Sequence, residues 1–132
     1  LTAYSATTLR VRYAETDQMG VAWHGCYLSW FEVGRTDLLR ERGMTYRELE
    51  AAGLRLPVIA FEARFLKPAR YDDLLEVRTR VTGVGGARLS FGYEVRRRPD
   101  EGPLATGATT HAAVDASGRP VRLPAALRER LT

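Results

Sequence analysis

In the stretch ETDQMGVAWHG, residues 15–25, an aspartate, Asp17, stands three residues before a glycine and seven before a histidine. A carboxylate so placed can attack an electrophilic carbon or take a proton from water. A histidine on the first turn of a helix presents its backbone N–H where four such groups lack intrahelical partners and the dipole favours negative charge. Asp17 facing the N–H groups of His24 and Gly25 across a small gap would form a minimal acyl-transfer site, with one group to attack or activate water and others to hold an oxyanion. A plainer reading makes Thr16 and Asp17 turn residues, Gly20 the bend and His24 a surface filler. Yet Asp17 falls six residues ahead of the helical pattern that opens at Trp23, too early for an ordinary N-cap.

Two elements must hold this pair. TTLRVRYA, residues 7–14, alternates as a short strand with Leu9, Val11 and Tyr13 on one face and Arg10 and Arg12 on the other. Trp23, Tyr27, Trp30, Phe31, Gly34 and Leu38 then recur at helical spacing and predict one apolar stripe running to about Arg42. Gly34 inside that stripe predicts a close approach to whatever the helix packs on. Gly43 should end the helix, and Thr45 should cap a short second helix, Tyr46 to Ala52.

The second half reads as strands. LPVIAFEARFLKP puts Ile59, Phe61, Ala63 and Phe65 on one face and Glu62 and Arg64 on the other. LLEVRTRVTGV and ARLSFGYEVRR alternate in the same way around a Gly85-Gly86 turn. After a loop at 99–103, LATGATTHAAVD is the last strand, and a helical tail begins at Ala125. Period-2 patterning and this turn chemistry favour an antiparallel sheet. The order predicts an α+β fold: a five-stranded antiparallel sheet wrapped around one long helix, as one domain over residues 1–132. So small a sheet has edges that nothing else in the chain covers, which predicts a homo-oligomer, a dimer or a pair of dimers.

At Arg10 to Phe31 the residues resemble a known signature. RVRYAETDQMGVAWHGCYLSWF is similar to the active-site segment of the 4-hydroxybenzoyl-CoA thioesterase family, within the hotdog-fold superfamily. Arg10-Val11, Thr16-Asp17, Gly20-Val21, His24, Tyr27 and Phe31 match at the family's spacing, while Ala22 stands where valine is usual. FLKPARYDDLLEVRTRV resembles the family's second and third strands, with the acidic turn at Asp72-Asp73. The likeness covers roughly residues 7 to 115. It implies a hotdog-fold acyl-CoA thioesterase, with His24 closer to the general bacterial branch than to the aromatic-specific enzyme. It further implies active sites at a dimer interface, Asp17 as nucleophile or general base, and backbone N–H groups at the helix start as oxyanion donors. The acyl group expected is aliphatic and short to medium in length.

Other residues carry less. Phe61, Arg64 and Phe65 are candidates to line an acyl pocket across the dimer; Arg64, Lys67, Arg70, Arg88 and Arg96 to Arg98 are candidates for coenzyme A phosphates. His111 reads as structural. The net charge of +4 comes from twenty basic residues of which only Lys67 is lysine. The run Arg96-Arg97-Arg98 lacks the interleaved aromatics of a nucleic-acid groove. One cysteine, Cys26, and two histidines, His24 and His111, give no zinc spacing, so no metal or cofactor is expected beyond coenzyme A as part of the substrate. No apolar run is long enough to span a membrane, and the single cysteine fits a reducing cytoplasm. Two other functions fit the same fold: a non-catalytic acyl-CoA-binding module, and a hydroxyacyl-thioester dehydratase with Glu32 as its helix acid.

Overall fold

The computed structural model describes residues 3–99 and 102–132. Five strands, β1 (Ser5–Arg10), β2 (Val58–Phe65), β3 (Leu74–Val84), β4 (Arg88–Arg97) and β5 (Pro103–Ala112), form one sheet in the order β1-β3-β4-β5-β2. Every neighbouring pair is antiparallel. Three helices accompany it: α1 (Cys26–Glu41), α2 (Tyr46–Ala51) and α3 (Ala125–Leu131). This is the five-stranded antiparallel sheet around a long helix that the patterning predicts.

The alternation on β3 and β4 explains how the sheet meets the helix. Leu75, Val77 and Thr79, with Leu89, Phe91, Tyr93 and Val95, are buried, while the residues between them are mostly half-buried and polar. Against that face α1 lays Tyr27, Trp30, Phe31, Gly34 and Leu38, all buried. The Phe31 ring stacks flat on Tyr93 with centroids 4.2 Å apart. Gly34 rides over β3: a Cβ there would sit 3.0 Å from Val77 Cγ1 and closer still to Thr79 Oγ1. The glycine is therefore the close approach that its place in the stripe predicts. The Thr79 hydroxyl, covered by the helix, has no hydrogen-bond partner among the described residues.

Three boundaries differ from the sequence reading. The first strand stops at Arg10; Tyr13 opens a single 3-10 turn, Tyr13–Glu15, and is 77% exposed. The helix begins at Cys26 with Gly25 as N-cap, so Trp23 and His24 belong to the preceding turn and Trp23 is exposed. The last strand ends at Ala112 and begins at Pro103, and residues 100–101 of the preceding loop lie outside the described residues. Gly43, with φ +86°, ends α1, and Thr45 caps α2 by accepting from Glu48 N at 3.1 Å, as expected.

β2 is an edge strand and almost wholly exposed. Its register with β5 slips between Val58 and Ala60, so Val58 pairs with His111 while Ala60 pairs with Thr110. The extra residue, Ile59, breaks the even alternation expected for this strand. Val58, Ile59, Phe61 and Phe65 are all more than a third exposed along an edge with no strand beyond it among the described residues.

Candidate active site

The segment between the 3-10 turn and α1 closes on itself. Asp17 N donates to Val21 O at 2.9 Å and Gly20 N to Asp17 O at 2.9 Å, with Gly20 at φ +80°. That is a tight turn whose last position needs the left-handed region, which glycine enters without a Cβ penalty. The Asp17 side chain joins the turn, Oδ1 accepting from Met19 N at 2.9 Å. Among the described residues no hydrogen bond is made to Oδ2, and the side chain is exposed. One oxygen anchors the carboxylate; the other is left uncommitted.

The turn is fastened from below by Glu15. This buried carboxylate accepts from Arg12 N at 2.8 Å and from the Trp30 indole at 3.0 Å, and the Arg12 guanidinium adds a contact at 3.3 Å. Burial alone would raise its pKa, but these hydrogen bonds and the Arg12 charge together hold it below the ordinary glutamate value. The Glu15 carbonyl accepts from Trp23 N at 3.0 Å and from Cys26 Sγ at 3.4 Å. Ala22 N reaches across to Ala69 O at 2.8 Å. Cys26 is buried in this knot, and burial together with Glu15 pushes its thiol pKa up, away from nucleophilic character.

At the start of α1, Cys26 N donates to Trp23 O and Tyr27 N to His24 O. The N–H groups of His24 and Gly25 make no hydrogen bond among the described residues. They are free donors at a helix N-terminus, where an anion is favoured. Asp17, Trp23, His24, Tyr27, Phe65 and Lys67 line one cleft of about 320 Å³. Phe65 meets Tyr27 edge-on with centroids 4.9 Å apart and His24 at 6.4 Å. Tyr27 is buried beneath the cleft, and burial pushes its phenol pKa up, so it stays neutral. The cleft thus combines a carboxylate with one uncommitted oxygen, the uncommitted N–H of His24, an aromatic wall and one lysine, with the second unpaired N–H, that of Gly25, next in the chain.

Of the residues expected to act, the fold brings Asp17, His24, Phe65 and Lys67 together around this cleft, with Gly25 half-buried at the N-cap beside it. It does not bring the others there. Arg64 projects from β2 beside Thr106, Phe61 packs edge-on to Phe31 at 6.0 Å, and Arg88 begins β4 at the end of that strand remote from Arg97. Arg96, Arg97 and Arg98 are held by Glu94, Asp73 and Glu76 at 2.7, 3.0 and 2.8 Å. Arg97 also donates to Pro68 O at 2.6 Å and so braces the loop behind the cleft. His111 is structural in its packing, fully enclosed on β5. The residue that the sequence does not single out is Glu15. A buried tryptophan usually finds an acceptor for its indole N–H, and that rule was the available signal.

Comparison with known proteins gives the family. Residues 11–131 match the model of the thioesterase-like superfamily. A Bacillus subtilis protein named "Putative acyl-CoA thioesterase YneP" is 38% identical over 112 residues, covering 84% of this chain and 80% of its own length. The structure of a DHNA-CoA thioesterase from Staphylococcus aureus superposes with a TM-score of 0.87 at 35% identity, over 91% of this chain and 80% of that one. The hypothetical protein TT1821 from Thermus thermophilus superposes with a TM-score of 0.90 at 38% identity, over 96% of each chain. Carrying both the superfamily's sequence pattern and its hotdog architecture, the chain belongs to the thioesterase-like superfamily and is a thioester hydrolase.

Proposed function

We propose that residues 1–132 form one acyl-CoA thioesterase domain, hydrolysing an acyl-CoA to the free acid and coenzyme A. The observation that carries this reading is the shared cleft: Asp17, whose Oδ2 accepts no hydrogen bond among the described residues, and His24, whose N–H is likewise unpaired at the start of α1, line one space. The thioester carbonyl accepts from the N–H of His24 or Gly25, and negative charge gathering on that oxygen is met by donors and by the helix dipole. In one course Asp17 attacks the carbonyl carbon, the C–S bond breaks, coenzyme A leaves as thiolate, and water hydrolyses the acyl-aspartyl anhydride. In the other, Asp17 takes a proton from a water that attacks directly. Neither course calls for a metal or a redox cofactor. Lys67 on the cleft wall supplies a cation for a coenzyme A phosphate. The names of the related YneP and DHNA-CoA proteins agree with a coenzyme A thioester as substrate. We place the enzyme in the cytoplasm as a homodimer, or a dimer of dimers, joined through β2, whose free edge and exposed apolar residues support such pairing.

Asp17→Asn tests the chemistry. An amide neither attacks nor accepts the proton, so thiol release from acyl-CoAs should fall by at least ~10² while a thioether analogue still binds. Near-normal turnover by a folded Asp17→Asn protein would remove Asp17 from the reaction. Tight acyl-CoA binding with no thiol release from the unmodified protein would instead mark a binding module. Label found in the Asp17 carboxylate after single-turnover hydrolysis in ¹⁸O-water identifies the anhydride course with water attacking the aspartyl carbon, since direct attack of water on the thioester sends the label only to the released acid.

A further inference from the structure

A second cavity, of about 250 Å³, lies between α1 and the opposite end of β2 from the Asp17 cleft. Its walls are largely apolar, with Leu39, Val58 and Phe91 among them, and Glu32, Arg35 and His111 supply its polar groups. A directed chain of hydrogen bonds runs beneath it. Leu56 O can only accept, so His111 Nδ1, 2.9 Å away, donates to it. In a neutral ring Nε2 then accepts from the Thr109 hydroxyl at 2.8 Å. The Thr109 oxygen accepts in turn from Tyr93 at 2.7 Å, and Tyr93 accepts from Arg35 at 3.5 Å. Every hydroxyl proton in the chain is spent. The Arg35 guanidinium is not: it makes that one long contact and has no carboxylate partner among the described residues, Glu32 included. A guanidinium has five N–H donors in a fork that suits oxygen acceptors. The others make no hydrogen bond among the described residues, beside a cavity whose walls are largely apolar.

The two cavities mark the two ends of one strand. Phe65 lines the Asp17 cleft and Val58 lines the Arg35 cavity. Within one chain they stand seven residues apart, roughly 23 Å along β2. The free edge of β2 changes that distance once a second copy is added. Antiparallel pairing of β2 with its two-fold copy, about the middle of the strand, sets the Phe65 end of one protomer beside the Val58 end of the other. Neighbouring strands lie about 5 Å apart, so each Asp17 cleft then opens toward the other protomer's Arg35. Resting on the thioesterase reading above, we propose that the Arg35 cavity of one protomer receives the far end of the acyl group whose thioester lies in the Asp17 cleft of the other, and that Arg35 selects acyl chains carrying an oxygen acceptor there.

The experiment compares three eight-carbon thioesters of coenzyme A: the plain octanoyl chain, a chain with an oxo group in its distal half, and the mono-thioester of octanedioic acid. Wild type should favour at least one oxygenated chain over the plain one by tenfold or more in kcat/KM. The oxo and carboxylate arms identify which acceptor Arg35 takes. Arg35→Met should reduce that ratio at least tenfold; a ratio at or below one in wild type, or unchanged in the variant, overturns the selection. Should the methionine variant not fold, Arg35→Lys keeps the charge, lacks the fork, and should show a smaller fall in the ratio. Thioether analogues of the same chains read binding without turnover. If Arg35-dependent binding persists while no thiol is ever released, hydrolysis is the reading that fails and the selection stands.

Sharing between protomers has its own readout. Asp17→Asn and Arg35→Met chains are refolded together and assayed on the favoured oxygenated thioester. Random pairing makes half the dimers mixed, and each mixed dimer holds one site with both residues intact, so about a quarter of wild-type activity should return. Activity no higher than the average of the two separate variants would place Arg35 and Asp17 in the same site of one chain and overturn the sharing.

Discussion

Glu15 shows how a residue outside the candidate site holds that site together. Its carboxylate joins the Arg12 backbone to the Trp30 indole, and its carbonyl holds Trp23 and Cys26, so the Asp17 turn and the start of α1 share one anchor. Removing the carboxylate leaves a buried indole N–H unpaired, a cost of about 1–3 kcal/mol, besides freeing the turn. Glu15→Ala should therefore lower Tm by several degrees in a thermal melt and reduce kcat for thioester hydrolysis. Glu15→Gln, which keeps an oxygen for the indole, should recover most of the stability. At this scale the sequence points to the residues of the cleft and is silent about what supports them. Asp17, His24, Tyr27 and Phe31 stand at a recognisable spacing, whereas the partner of Glu15 lies fifteen residues away and becomes a partner only once α1 turns Trp30 inward. Arg88, whose charge suits a phosphate, stands within one chain at the other end of the sheet from the cleft, beside Ala112.

Among the elements, α1 and the central strands follow from periodicity because a continuous buried face leaves a continuous pattern. Their ends do not. Trp23 continues the helical spacing, yet it is half-exposed and the helix waits for Gly25, because the preceding turn is already tied to Glu15 and Ala69. The junction of β5 with the start of β2 was equally hidden, since it rests on His111 bonding to Leu56 across fifty-five positions. Burial is the main cause that lowers the His111 pKa from 6.5 to about 4. Between those values the unfolded chain binds a proton that the folded chain refuses, so stability is full above pH 6.5 and is lost as pH falls toward 4. The loss should amount to roughly 3 kcal/mol, at 1.36 kcal/mol per pKa unit. Urea unfolding at pH 7, 6, 5 and 4.5 should show this slope, and His111→Gln should flatten it. Glu15, whose pKa is also lowered, loses its contribution only below its unfolded value of 4.5, which leaves the higher window to His111.

For the whole molecule, the expectation of an oligomer came from counting uncovered edges, and the structure names the better candidate of the two. β1 carries threonines and arginine along its edge; β2 carries Val58, Ile59, Phe61 and Phe65, each more than a third exposed. Period-2 patterning could not distinguish these residues from ordinary core, because it registers apolar side chains on one face and not what lies against that face. Light scattering should give at least twice the 14.8 kDa chain mass at micromolar concentration. Phe61→Arg, placing a charge in the middle of that edge, should shift the protein toward monomer and remove thioester turnover with it. A wild-type monomer that retains full turnover would refute a site shared between chains.

The cleft also contains the chain's only lysine, in a molecule whose nineteen other cationic side chains are all arginine. Thioesters are acylating agents, and guanidinium groups are inert to them at neutral pH while a lysine amine is the customary target of acylation. The protein thus presents activated acyl groups with a single side-chain amine, and that amine lines the same cleft as Asp17. Lys67 is accordingly the position at which self-acylation would accumulate over many turnovers, and the one side chain through which an amine-directed fluorophore or cross-linker would report from inside the cleft.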